Sequence, residues 1–263
     1  MFNLIKMNLY RMTHAVSTKV IALVWIFLTL FNFTVMKIVM DDPFNIMSEA
    51  DKTLAGSAVS ADMIHSLFVS SNFLIVLSVF VVLFANAEQK CGFDKNLIGI
   101  TSSKWKHALA RWISAVIGMT VLMAVSGLLY FGICALFLDA FTVGSTTLLL
   151  KTIALVYLGM VTFSGIFFFF TTLFRSSAGG LVPSLVISLG ILFMIESLLD
   201  MLIKKIISSP KYLPSDFLFD SKFLNFDMTS GKNAVIFLAV LCVVYIALSV
   251  GGSMLLQQRR DVK

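Results

Sequence analysis

The sequence predicts an all-α integral membrane protein with six transmembrane helices, an amphipathic interfacial helix at the N-terminus and short extracellular helices between the fifth and sixth crossings. Three observations predict it. Of 263 residues, 59% are hydrophobic and only 13% are charged, and the mean hydropathy is +0.96, far more apolar surface than a water-soluble core absorbs. Six apolar runs each reach the roughly 20 residues that a helix needs to cross the hydrocarbon layer. The net charge of +6 is spread in short clusters between those runs, a pattern that orients a chain in a membrane and does not form a nucleic-acid stripe.

Residues 1–18 come first. Phe2, Ile5, Leu9, Met12 and Val16 recur at three- and four-residue steps, while Asn3, Lys6, Asn8, Arg11, Thr13 and His14 fill most of the remaining arc. That period is an amphipathic helix lying in the inner interface. Lys6, Arg11 and His14 interrupt it too often for the continuous apolar stretch of a cleavable signal, and the Asp41-Asp42-Pro43 that follows the first long run is no cleavage site.

The crossings fall at residues 20–39, 66–87, 113–138, 152–174, 181–203 and 234–256. The fourth and fifth are separated by Arg175-Ser176-Ser177 and Gly179-Gly180, with Pro183 placed in the first turn of the fifth, where a proline is tolerated. An even number of crossings puts both termini on one side. With that side inside, the inner segments hold twelve of the 20 Lys and Arg residues, including every arginine: Arg11, Arg111, Arg175, Arg259 and Arg260. Asp41, Asp42, Glu49, Asp51 and Asp62 cluster in the first outer loop. The Lys and Arg bias orients the termini toward the cytoplasm, and the acidic cluster on the opposite side agrees with it.

Two segments between crossings carry information. Residues 88–108 are the longest inner segment and are rich in charge. Residues 204–233 mix Pro210, Pro214 and Gly231 with Tyr212, Phe217, Leu218, Phe219, Phe223, Leu224 and Phe226, too apolar for a solvated loop, and are expected to form short helices dipping into the outer interface. No repeat or low-complexity linker appears, so residues 1–263 read as one domain.

Catalytic and metal-binding patterns are missing. Thr229-Ser230-Gly231-Lys232-Asn233 resembles the end of a phosphate loop, but Phe226 stands where its first glycine belongs and Asn233 follows the lysine. Cys91, Cys134 and Cys242 make no CxxC pair, and His14, His65 and His107 are isolated, so neither a disulfide framework nor a metal site is expected; Cys134 and Cys242 read as small core residues. Glu196 is the carboxylate deepest in an apolar run, and its burial is costly unless it is paired or wet. Asp200 and Lys204 follow at four-residue steps, where Lys204 is expected to reach back to either acid. The group reads as a polar cluster at the outer helix end or as the lining of a substrate path. Gly180, Ser184 and Ser188 form a small-residue ladder, suited to packing inside one bundle or to a subunit interface; Ala247 and Gly251 repeat the spacing.

One stretch carries a family resemblance. After the second crossing come Glu88, Gly92 and Leu97, then Ser103, Lys104, Trp105 and Lys106, then Ala110-Arg111. This resembles the E-x-x-x-G-T-x-x-x-L … S-R/K … A-K/R pattern of ABC-2 type transporter permeases, with Phe93 in place of the usual threonine and no proline before the Ser-Lys pair. The architecture is similar over nearly the whole chain, and small size and aromatic-rich helices resemble the permeases of antimicrobial-peptide immunity and drug efflux. The resemblance implies a non-enzymatic exporter subunit of a bacterial cytoplasmic membrane, binding no cofactor itself. It implies ABC ATPase subunits carrying ATP and Mg as partners, a second permease chain (identical or related), membrane lipid around it, and no nucleic acid. It further implies coupling to the ATPase through Glu88, Gly92, Leu97, Lys104, Trp105 and Lys106, and a peptide, drug or amphipathic lipid as substrate. Two other classes compete. An integral membrane enzyme would need catalytic groups at one membrane depth, and a stand-alone carrier would need inverted repeats.

Overall fold

The structure is a computed structural model that describes residues 1–41, 60–90, 104–138, 144–206, 213–226 and 231–259. Helices α1 (Phe2–His14), α2 (Val16–Asp41), α3 (Ser60–Val69), α4 (Ser71–Lys90), α5 (Lys104–Phe137), α6 (Thr146–Phe174), α7 (Ser177–Ser188) and α8 (Ile191–Ile206) follow in order. A 3₁₀ turn η1 (Pro214–Asp216), α9 (Phe219–Leu224) and α10 (Lys232–Arg259) complete the chain, and no strand occurs among the described residues. Four helices, α2, α5, α6 and α10, are each long and apolar enough to cross a membrane. The pairs α3–α4 and α7–α8 qualify only as bent units, turning by 53° and 54°, so the bundle offers four to six spans. The protein is a multi-pass membrane protein.

Both bends fall inside segments read above as single crossings, residues 66–87 and 181–203. At the first, Ser70 ends α3 by donating its hydroxyl to the Leu67 carbonyl (2.8 Å), and its own carbonyl starts α4 by accepting from the amides of Phe73 and Leu74. At the second, Gly190 adopts a left-handed φ of 72°, a conformation that glycine enters without steric cost. The break before α7 falls at Arg175-Ser176, with Arg175 left-handed at φ 53° and the Ser176 side chain capping the Gly179 amide. That cap starts α7 earlier than the sequence implied. Gly179 and Gly180 are therefore helical, and Pro183 lies in the helix interior, not in its first turn.

Helix α1 has the expected period, but its buried side is not purely apolar. Asn8, assigned above to the polar arc, is buried beside Met12, while Phe2 and Val16 are exposed. Met12 of α1 packs onto α5, where its thioether lies in the space that a Cβ at Gly118 would take. Without a hydrophobic force between helices in lipid, tight packing and interhelical hydrogen bonds hold such a bundle. Trp25 shows both: fully buried on α2, it stands edge-on to Phe73 of α4 (5.4 Å between centroids) and donates its indole N–H to the Ser126 hydroxyl of α5 (3.1 Å). Cys134 and Cys242 are buried free thiols.

Candidate functional site

The richest polar chemistry lies where α8 meets η1 and α9. Helix α8 is amphipathic in the sense suited to lipid: Met194, Ile195, Leu198, Leu199 and Leu202 are exposed, whereas Glu196 and Asp200, one turn apart, face inward and are buried. Glu196 is 2% exposed, and its carboxylate accepts a hydrogen bond from the Ser221 hydroxyl of α9. The Ser215 amide donates to Asp200 (3.4 Å). Asp220 comes close to Glu196 from α9 and is itself buried. Two buried carboxyl groups thus sit side by side, within hydrogen-bond reach of each other when one of them carries a proton.

Among the described residues, no cation forms an ion pair with either carboxyl group. Lys204, expected to reach back to Glu196 or Asp200, is exposed and makes an ion pair with neither; its field falls on Asp216. The reason is geometric: Lys204 lies in the last turn of α8, where η1 brings Asp216 close, while Glu196 lies two turns deeper. Lys222 forms the ion pair there, 2.7 Å from Asp216, and its hydrogen bond holds the Asp216 carboxyl below the usual carboxylate range.

Helix α9 is inserted into the bundle and does not lie along its surface. Phe219 and Phe223 are buried, with ring centroids 4.9 and 5.7 Å from Phe163 of α6. Phe223 fills the space left by the missing side chain of Gly159, about 20 Å along α6 from Thr146 at 1.5 Å per residue. Tyr245 of α10 closes the cluster, its ring 5.8 Å from Phe219 and its hydroxyl donating to the Phe217 carbonyl (3.3 Å). Beside this cluster lies a cavity of about 320 Å³.

The sequence singled out Glu196 and Asp200 but missed Asp220 and Ser221. A usable signal existed: Asp216 and Asp220 repeat at four residues, as do Phe219 and Phe223, giving one acidic and one aromatic helical row.

The coupling candidates lie elsewhere, around the junction of α4 and α5. Glu88 falls in the last turn of α4, whereas Gly92 and Leu97 lie outside the described residues. Lys104, Trp105 and Lys106 open α5; Lys106 is exposed, with its ammonium 5.7 Å from the Trp105 ring centroid. Buried Arg111 donates from Nη1 to the Ala85 carbonyl of α4 (3.0 Å), tying the two helices. On α7, Ser184 and Ser188 are buried within the single chain, and Ser188 donates to the Leu74 carbonyl of α4 (3.0 Å).

Among the described residues, no three His, Cys, Asp or Glu side chains are arranged to hold a metal. Beside the carboxyl pair the Ser221 hydroxyl donates to Glu196, and two buried carboxyl groups side by side are suited to hold a proton or a cation. No protein-family model matches the chain, and no curated protein matches it.

Proposed function

We propose that this chain is the permease subunit of an ATP-driven exporter of the ABC-2 type, spanning a bacterial cytoplasmic membrane six times with both termini inside. The observation that carries the reading is the form of α5, which begins in the stretch bearing the family resemblance. Lys104, Trp105 and Lys106 open a helix of 34 residues, about 51 Å long, against a hydrocarbon layer of roughly 30 Å. Its first turns therefore have length to spare outside the lipid, while the same hydrogen-bonded rod continues through the bundle. A force applied at Trp105 moves the whole rod, and the Arg111–Ala85 hydrogen bond carries it to α4.

A pump without a nucleotide site takes its force from a partner. Two permease chains and two ATPase subunits form the working unit, with ATP and Mg bound on the ATPases. Nucleotide shifts the permease between inward- and outward-facing states by binding one ATPase arrangement more tightly than the other. Trp105 is the anchor for that partner, because partly exposed aromatics beside a cation concentrate interface energy.

Copurification of an ATPase subunit with the chain tests the assembly. Trp105→Ala is expected to weaken that association by more than about 2 kcal/mol, roughly thirty-fold, with membrane insertion unchanged. Glu88→Ala is expected to retain the complex and lower ATPase stimulation by substrate. Wild-type association and stimulation in both variants would mean that force enters elsewhere.

Orientation has its own test. In a background lacking Cys91, Cys134 and Cys242, Lys232→Cys should react from outside intact cells with an impermeant thiol reagent, and Lys106→Cys should not. Reaction at Lys106→Cys from outside inverts the topology.

A further inference from the structure

We propose that the cavity bounded by α6 to α10 is a binding site for an organic cation with an apolar body, in which Asp220 supplies the counter-charge and Phe163, Phe219 and Tyr245 the rings. Its volume of about 320 Å³ is at the lower end of the range for small-molecule pockets, which are mostly apolar with a few placed polar groups. The lining follows that description: among the described residues, Asp220 is the one acidic side chain beside Ser249 and aromatic and aliphatic groups, and no Lys, Arg or His lines the space. Asp220 is only 5% exposed, and its side-chain neighbour is a second buried carboxyl group, that of Glu196. Two adjacent buried carboxyl groups hold negative charge at a cost, and a cation in contact removes that cost.

Among the described residues, the neighbouring cations do not fill the role. Lys222 is engaged with Asp216 at 2.7 Å, and Lys204 is exposed. The aromatic faces around the cavity add attraction for a cation stripped of water. Leu248, which lines the cavity, is 67% exposed on the outside of the bundle. The opening therefore meets the acyl region of the bilayer, and the occupant is a lipophilic cation that partitions into lipid. The inference names a substrate class for the export reading and rests on that reading only for the step from binding to transport.

The test uses the purified chain in lipid nanodiscs without any ATPase. Tetraphenylphosphonium and tetraphenylborate have matched shapes and opposite charges; after subtraction of uptake by protein-free nanodiscs, which the membrane dipole potential makes larger for the anion, the difference between them reports the charge of the site. Saturable binding of the cation, roughly tenfold or more tighter than of the anion, is expected from one desolvated charge contact. Asp220→Asn should weaken the cation by a similar factor and leave the anion no weaker. Leu248→Trp narrows the mouth from its exposed side and should weaken the cation even if Asp220→Asn fails to fold. Equal binding of the two ions would make the cavity an acyl-chain site and overturn the proposal. Undiminished cation binding in both variants would overturn it as well. Either failure leaves the ATPase copurification result standing, so the two readings are separable.

Discussion

Ser184→Phe is expected to lower the unfolding temperature of the detergent-solubilised chain by about 5–10 °C, the shift that roughly 3 kcal/mol produces in a chain of this size. Helix α7 sits in the groove between α4 and α6, and its small residues set the depth. Ser184 is fully buried and turns its hydroxyl back to the Gly180 carbonyl (2.7 Å), so it needs no room beyond its own volume. One turn earlier, a Cβ at Gly180 would lie 2.9 Å from Thr171 Oγ1 and 3.2 Å from Val82 Cγ1, which shows how closely α6 and α4 approach. A phenyl ring at Ser184 must displace one of those helices. Two controls separate size from chemistry. Ser184→Ala removes only a hydrogen bond to an already satisfied carbonyl and should cost about 1 kcal/mol or less. Val182→Phe, on the exposed side of α7, should be neutral. If the ladder acted between permease chains instead, Ser184→Phe would reduce crosslinking between copies and leave monomer melting unchanged.

The crossings were legible because the bilayer imposes one constraint on all of them. Every backbone polar group in lipid must be satisfied within its helix, and about 20 apolar residues are needed to span. Run length therefore found α2, α5, α6 and α10. It understated α5 and α6, because helical hydrogen bonding continues past the last lipid-facing residue: α5 begins at Lys104 and α6 at Thr146. It missed the bends at Ser70 and Gly190 for a related reason. Hydropathy averages over a window, whereas a bend depends on one left-handed glycine or one serine that redirects a few hydrogen bonds.

The acidic site was half legible. Glu196 and Asp200 stand out because carboxylates one turn apart in an apolar run are expensive and share a face. Their partners could not be read from the same run. Ser221 and Asp220 arrive from a helix of six residues that is held by Phe219 and Phe223, and its position depends on the gap at Gly159. Lys204 misled because four-residue spacing gives proximity along a helix but does not say which neighbouring element offers the nearer carboxylate. Asp216 on η1 draws the Lys204 field, and the pair predicted along α8 does not form.

Gly159→Val is expected to push α9 out of the bundle, and with it Asp220 and Ser221. A Cβ at Gly159 would overlap the Phe223 ring. That ring cannot swing aside cheaply, because it is fully buried and stacks on Phe219 with centroids 5.4 Å apart, edge-on to Phe163. Overpacking at a rigid contact costs about 1–3 kcal/mol, and relief by expelling α9 exposes the side chains that the helix buries. The displacement has a chemical signature. Ser221→Cys, buried in the parent, should become reactive toward an impermeant thiol reagent when combined with Gly159→Val, in a background lacking Cys91, Cys134 and Cys242. Phe223→Ala alone should also destabilise, by about 3 kcal/mol or more, because it leaves a hole against Gly159. The double variant Gly159→Val/Phe223→Ala fills part of that hole with the new methyl groups, so it should be more stable than the sum of the single changes by at least about 1 kcal/mol. Strictly additive effects, with Ser221→Cys still protected, would show that Gly159 does not set the position of α9. Coupling with restored protection in the double variant would make this one glycine the residue that lets Asp220 and Ser221 reach Glu196.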